Sequence, residues 1–157
     1  MNDRRFEALI TRHRAAIEAY AQATCGNRWL AEEAVQETFV RAWKYLHTYG
    51  GTGSFEGWLI RICRNVIVDL ANRSEPVSDE LGHLDHTQPA DNTPELYLIL
   101  GALPFAQREV LVLCGILGFD YESAAAILGV PVGTIRSRLA RARAELSVQL
   151  RPAADWR

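Results

Sequence analysis

GVPVGTIRSRLARAR, residues 129–143, sets a short rigid turn directly before a segment carrying Arg136, Arg138, Arg141 and Arg143, in a 157-residue chain whose net charge is −2. Gly129 and Pro131 stop one helix and open another, because glycine tolerates the left-handed cap and proline is pre-set for a first helical turn. From there Val132, Ile135, Leu139, Ala142 and Leu146 recur at spacings of 3, 4, 3 and 4, one apolar stripe on a helix. At about 100° per residue, Ser137 falls opposite that stripe, Thr134 and Arg141 lie on the far side, and Arg136, Arg138 and Arg143 flank it. Small Ala140 and Ala144 sit among them, and Glu145 is the sole acid. A face built for solubility mixes signs. This one is nearly all cationic, and the forked guanidinium matches phosphate and guanine edges.

Upstream, Gly118 and Asp120 restart the chain into YESAAAIL (121–128), which Gly129 ends. Two helices joined by so few residues form a helix-turn-helix outline. Many helical hairpins share it; the arginine face adds the docking pattern of a recognition helix, base edges at its N-terminal half and phosphates on its flanks. Further upstream, Thr93-Pro94 begins one helix and Pro104 another, through REVLVLCGIL.

The N-terminal half is also helical. Phe6, Leu9, Ile10, Ile17 and Tyr20 recur at helical spacing up to Gly26-Asn27. A second helix, about Trp29 to Tyr45, puts Ala31, Val35, Phe39, Ala42 and Trp43 on one face and Glu33, Glu37, Val40 and Lys44 on the other. After TYGGTGS (48–54), a third helix (55–73) buries Phe55, Leu59, Ile62, Val66 and Leu70, with Arg61, Arg64, Val68 and Ala71 pointing away. Asp69 and Arg73, four apart, can pair on its surface. Nothing alternates at period two for long enough to make a sheet. The predicted fold is therefore all-α.

Charge divides the chain further. Residues 1–73 hold 10 Lys+Arg against 8 Asp+Glu, residues 74–98 none against 6, and residues 99–157 hold 7 against 5, giving +2, −6 and +2. The acidity thus sits in a Pro-, Ser-, Asp- and Thr-rich tether between two mildly basic helical blocks. A C-terminal block of only +2 grips DNA weakly alone. If it covered about four phosphates, its affinity would fall with salt at a log–log slope near −3.6.

Cys25, Cys63 and Cys114 are odd in number and far apart, and read as reduced structural thiols. His83 and His86 lie in a loop with no cysteine near, a poor zinc site. There is no signal-peptide pattern at the N-terminus and no apolar run long enough for a bilayer, so a cytoplasmic protein without membrane insertion is expected. No metal-ligand cluster, nucleophile elbow or phosphate-cradling loop marks an enzyme, and no cofactor is expected.

AEEAVQETFVRAW (31–43), SFEGWLIRICRNVIVDLANR (54–73) and LPFAQREVLVLCGILGFDYESAAAILGVPVGTIRSRLARARAEL (103–146) resemble, in order and spacing, the bacterial extracytoplasmic-function (group IV) sigma factors of the sigma-70 family. The resemblance implies two small helical domains joined by a flexible acidic linker. These are sigma region 2 over 1–73, the linker over 74–94, and sigma region 4 with its helix-turn-helix over 95–150, before a tail at 151–157. It implies a non-enzymatic protein that binds core RNA polymerase, directs it to promoter DNA and helps open the duplex. Polymerase binding then maps to Glu33, Gln36, Glu37 and Val40 against the clamp helices of the largest subunit, with region 4 on the flap of the second-largest. Ala34 stands where the family commonly has a larger aliphatic, which implies a shallower contact.

Minus-ten reading and melting map to Tyr49, Ser54, Trp58, Arg61, Arg64, Asn65 and Arg73, with Trp58 placed by its wheel position in the core rather than as a stacking platform. Minus-thirty-five reading maps to Thr134, Arg136, Ser137, Arg138, Arg141 and Arg143. Ser123 and Ala124 depart from the family's acidic and branched residues. The family is often controlled by an anti-sigma factor, a candidate partner here. The competing readings are a free-standing helix-turn-helix regulator working without polymerase, and a sigma-like protein-interaction module.

Overall fold

The computed structural model describes residues 2–51, 53–74 and 95–150. Helix α1 (Asp3–Cys25) starts where the Asn2 side chain accepts the Arg5 amide at 2.9 Å, and buries Phe6, Ile10, Ile17 and Tyr20. Gly26 ends it at φ 67°, and the Asn27 side chain then accepts the Trp29 and Leu30 amides to begin α2 (Arg28–Lys44). One dipeptide thus terminates a helix and caps the next. The inner side of α2 is small: Ala31, Ala34, Val35, Thr38 and Ala42 are buried, and the Thr38 hydroxyl is absorbed by the Ala34 carbonyl at 2.6 Å. Ala34 is therefore a packing residue inside the module.

A short 3₁₀ turn, Leu46–Thr48, leads to α3 (Phe55–Ser74), whose first turn is closed by the Gly57 amide donating to Ser54 Oγ at 2.9 Å. Leu59, Ile60, Cys63, Val66, Ile67 and Leu70 are buried. Val68 and Ala71, expected to point away, are buried too, since α3 is covered on more than one side.

The C-terminal half contains α4 (Glu95–Gly101), α5 (Phe105–Leu111) prolonged by a π-helical turn over Val112–Ile116, α6 (Tyr121–Leu128) and α7 (Val132–Gln149). Asp120 Oδ1 accepts the Ser123 amide at 2.7 Å to start α6, and Gly129 ends it at φ 68°. Ala124 is fully buried there. In α7, Ile135, Leu139 and Ala142 are buried, with Val132 and Leu146 packed beside them, so the 3-4-3-4 stripe is the core face.

The two halves share one buried cluster. Helices α4 and α5 lie on α1, and α6 lies on α3. The approach at α6 is close: a Cβ at Gly57 would stand 3.3 Å from Ile127 Cδ1. Arg108 of α5 is 1% exposed and donates to the carbonyls of Leu100 at 3.0 Å, Leu103 at 2.8 Å and Thr24 at 2.6 Å, the last belonging to α1. Most of the linker, 75–94, and the tail lie outside the described residues, as do His83 and His86.

Candidate nucleic-acid interface

Three surfaces carry the candidate residues. On α7, the core stripe forces the remaining side chains outward: Arg136, Ser137, Arg141 and Arg143 are exposed, and Thr134 and Arg138 are half-buried. The Ser137 hydroxyl donates to the Thr134 carbonyl at 3.1 Å. None of the four arginines forms an ion pair with a described residue. Arg138 acts on the buried Glu109 carboxyl, while the exposed Arg136, Arg141 and Arg143 stay available to an anion from outside.

On α3, Arg61, Asn65 and Arg73 are exposed, whereas Arg64 is engaged. Its Nε lies 2.9 Å from Glu109 Oε2 and its Nη2 3.4 Å from Oε1, a fork onto a carboxylate of the C-terminal half. Asp69 pairs with Arg41 of α2 at 3.1 Å rather than with Arg73.

Around the N-terminus of α3, Tyr49, Phe55 and Trp58 pack with ring centroids 5.3–5.6 Å apart, and the Tyr49 hydroxyl donates to the Gly53 carbonyl at 3.1 Å. The glycine-rich loop is thereby tied back onto an aromatic cluster. Trp58 is half-buried and lines two clefts. One, of about 200 Å³, also carries Arg41, Tyr45, Thr48, Ile62 and Asn65; the other, of about 270 Å³, runs between Ser54, Trp58 and Arg61 on one wall and Ser123, Ala126 and Ile127 of α6 on the other. Trp58 is thus both core support and an aromatic wall. Aromatic faces, an amide and a guanidinium around a hollow are what an unstacked base requires.

The outer face of α2 is different. Glu33, Gln36 and Val40 are exposed, and Glu37 is held by Arg41 Nε at 3.1 Å. Two tryptophans extend it: Trp29 is 76% exposed, and Trp43, expected inside, is 49% exposed and edge-on to Phe6 at 4.9 Å. Large apolar side chains among carboxylates suit a protein partner rather than nucleic acid.

The cysteines are free. Burial pushes the Cys63 thiol up to about 12, partly offset by a hydrogen bond with Thr38, and burial likewise raises Cys25. Both are inert as nucleophiles. No group of three or more His, Cys, Asp or Glu among the described residues could hold a metal ion, and none of their helices is long and apolar enough to cross a membrane.

Two family descriptions match the chain, Sigma-70 region 2 over residues 9–75 and Sigma-70, region 4 over residues 94–146. The sigma factor EcfG of Rhodopseudomonas palustris is 38% identical over 143 residues, covering 86% of this chain and 79% of EcfG. The chain belongs to the extracytoplasmic-function sigma factors of the sigma-70 family. SigE of Mycolicibacterium smegmatis is 36% identical over 154 residues, covering 90% of this sigma factor, which spans 60% of SigE's length.

Two solved structures resemble this sigma factor across both halves. The sigma factor RpoE of Bartonella quintana, in complex with the anti-sigma factor NepR, superposes with a TM-score of 0.77 at 27% identity, covering 94% of this chain and 98% of RpoE. CnrH, in complex with the cytosolic domain of CnrY, gives 0.74 at 34% identity, covering 95% and 89%. Region 2 corresponds to α1–α3 and region 4 to α4–α7.

Sequence reasoning passed over Arg108, Glu109 and Trp29. The first two had a signal: adjacent opposite charges inside an otherwise apolar helix, which are costly to bury unless each meets a partner.

Proposed function

We propose that this sigma factor binds core RNA polymerase and directs it to promoters, with region 2 reading and melting the minus-ten element and region 4 reading the minus-thirty-five duplex. The observation that carries this reading is the segregation of faces. The carboxylate and tryptophan surface of α2 and the cationic surface of α7 lie on separate modules joined by a tether, as a bridge between a protein and DNA requires. On α2, Glu33, Gln36, Glu37 and Val40 meet the clamp helices of the largest subunit, and region 4 also rests on the flap of the second-largest.

At the minus-ten element, the clefts beside Trp58 take an unstacked base, with Tyr49 and Ser54 shaping the rim and Arg61, Arg64, Asn65 and Arg73 contacting backbone or base edges. On α7, Thr134, Arg136, Ser137, Arg138, Arg141 and Arg143 enter the major groove or hold its phosphates. The protein catalyses nothing itself and works in the cytoplasm, where polymerase is. The complexes of RpoE with NepR and of CnrH with CnrY support control of this chain by an anti-sigma factor.

Replacing Gln36 and Glu37 with lysine tests the polymerase face. Core binding measured by fluorescence anisotropy should weaken about tenfold or more, while helix content stays unchanged. An unaltered binding curve removes α2 as the docking face.

A further inference from the structure

Between Glu37 and Asp69 the chain holds a single acidic residue, Glu56, against Arg41, Lys44, Arg61 and Arg64. The stretch that carries most of the minus-ten candidates is thus cleared of negative charge at every position but one, as a surface lying along phosphates requires. The exception is awkwardly placed. Glu56 stands in the first turn of α3, between Phe55 of the aromatic cluster and Gly57 of the larger cleft.

That carboxylate is not loose. His13 of α1 donates from Nδ1 to Glu56 Oε2 at 3.0 Å, the two side chains being 14% and 28% exposed; an ionised carboxylate only accepts, so Nδ1 carries the proton. The same ring lies 5.6 Å from the Phe55 ring, which stands 5.3 Å from Tyr49 and 5.4 Å from Trp58. One imidazole therefore holds the acid and backs the aromatic wall. A lysine here would offer Phe55 no ring, and a phenylalanine would leave the carboxylate unpaired at a part-buried site. The next cation along α1, Arg14, is engaged elsewhere, 4.8 Å over the Phe39 ring of α2 and 3.8 Å from Glu18.

We propose that His13 is a positioning residue for the minus-ten pocket. It ties the Glu56 carboxylate to α1, out of the path of DNA phosphates, and it fixes Phe55, and through Phe55 the rings of Tyr49 and Trp58, as the wall on which an unstacked base rests. His13 itself touches no base. The inference rests on the reading of the clefts beside Trp58 as base-binding, and Trp58→Ala tests that reading separately.

The test is the rate at which the full chain with core polymerase opens a cognate promoter carrying 2-aminopurine in its minus-ten element, whose fluorescence rises on unstacking. His13→Leu should slow opening about tenfold, with core binding by anisotropy and helix content by circular dichroism unchanged. The gap from wild type should narrow in high salt, where an untied carboxylate is screened. Glu56→Gln added to His13→Leu removes the loose charge and should recover most of the rate, and His13→Gln, whose amide still donates to Glu56, should open nearly as wild type. Glu56→Asp shortens the acid out of reach of His13 without altering α1, and should show the same salt-dependent slowing. Wild-type rates for both His13→Leu and Glu56→Asp, or a His13→Leu defect that Glu56→Gln leaves untouched, overturn the inference while a slowed Trp58→Ala leaves the pocket standing. A promoter that opens normally with Trp58→Ala removes the pocket, and the role of His13 with it.

Discussion

Arg41 Nη1 lies 3.1 Å from Asp69 Oδ2 while its Nε lies 3.1 Å from Glu37 Oε1, so one guanidinium ties α2 to α3. Asp69 and Glu37 are 51% and 42% exposed, which keeps the contribution small. Asp69→Asn should destabilise the fold by about 0.5 kcal/mol. Thermal unfolding should then shift down by about 1–2 °C, and the difference should vanish in molar salt as screening takes over.

Arg108 should behave otherwise. Arg108→Met removes the donor for carbonyls of Thr24, Leu100 and Leu103, all in a buried site. A loss of about 3 kcal/mol follows from stranding them, read as a denaturation midpoint moved well below that of Asp69→Asn. Equal midpoints for the two variants would contradict the buried role.

The α7 arginines should separate binding from folding. Arg136→Ala or Arg141→Ala should change stability by less than about 0.5 kcal/mol, since neither pairs with a described residue. Promoter use with core polymerase should fall by about 1–3 kcal/mol for a base contact, with specificity relaxed at one position, whereas a phosphate contact should weaken all sites alike. Transcription from a cognate promoter that survives both substitutions removes α7 from the groove.

Glu109 makes the stability of the fold sensitive to pH. Burial raises its carboxyl above the ordinary value of 4.5, with Arg64, Arg138 and the Tyr20 hydroxyl pulling it back. In the unfolded chain the group returns to its ordinary value, so the folded form holds more protons between the two. The contribution of this group is therefore fullest below 4.5 and is lost as pH rises through the raised value. Thermal unfolding compared for the wild type and Glu109→Gln across that range should show the variant lacking this component of the pH dependence.

Much of this was legible in the residues themselves. Gly26-Asn27, Asp120, Gly129 and Pro131 fix helix ends through local chemistry, and the stripe of α7 repeats regularly enough to orient the arginines. What was hidden depends on packing between helices. Val68 and Ala71 look surface-facing on a wheel because a wheel knows one helix; more than one neighbour covers them. Arg64 looks like a free cation for the same reason, since Glu109 lies 45 residues away in sequence. Trp43 failed in the other direction, because an apolar residue beside the stripe can stay outside when small alanines let α2 sit close to its neighbours.

Run-off transcription on genomic fragments, with core RNA polymerase alone and with the chain added, tests the central claim most directly. The account predicts transcripts only when both are present, with start sites sharing two upstream elements and lost on replacing Arg136 and Arg141. Transcripts independent of the chain, or tight sequence-specific duplex binding by the chain with no effect on initiation, would contradict it.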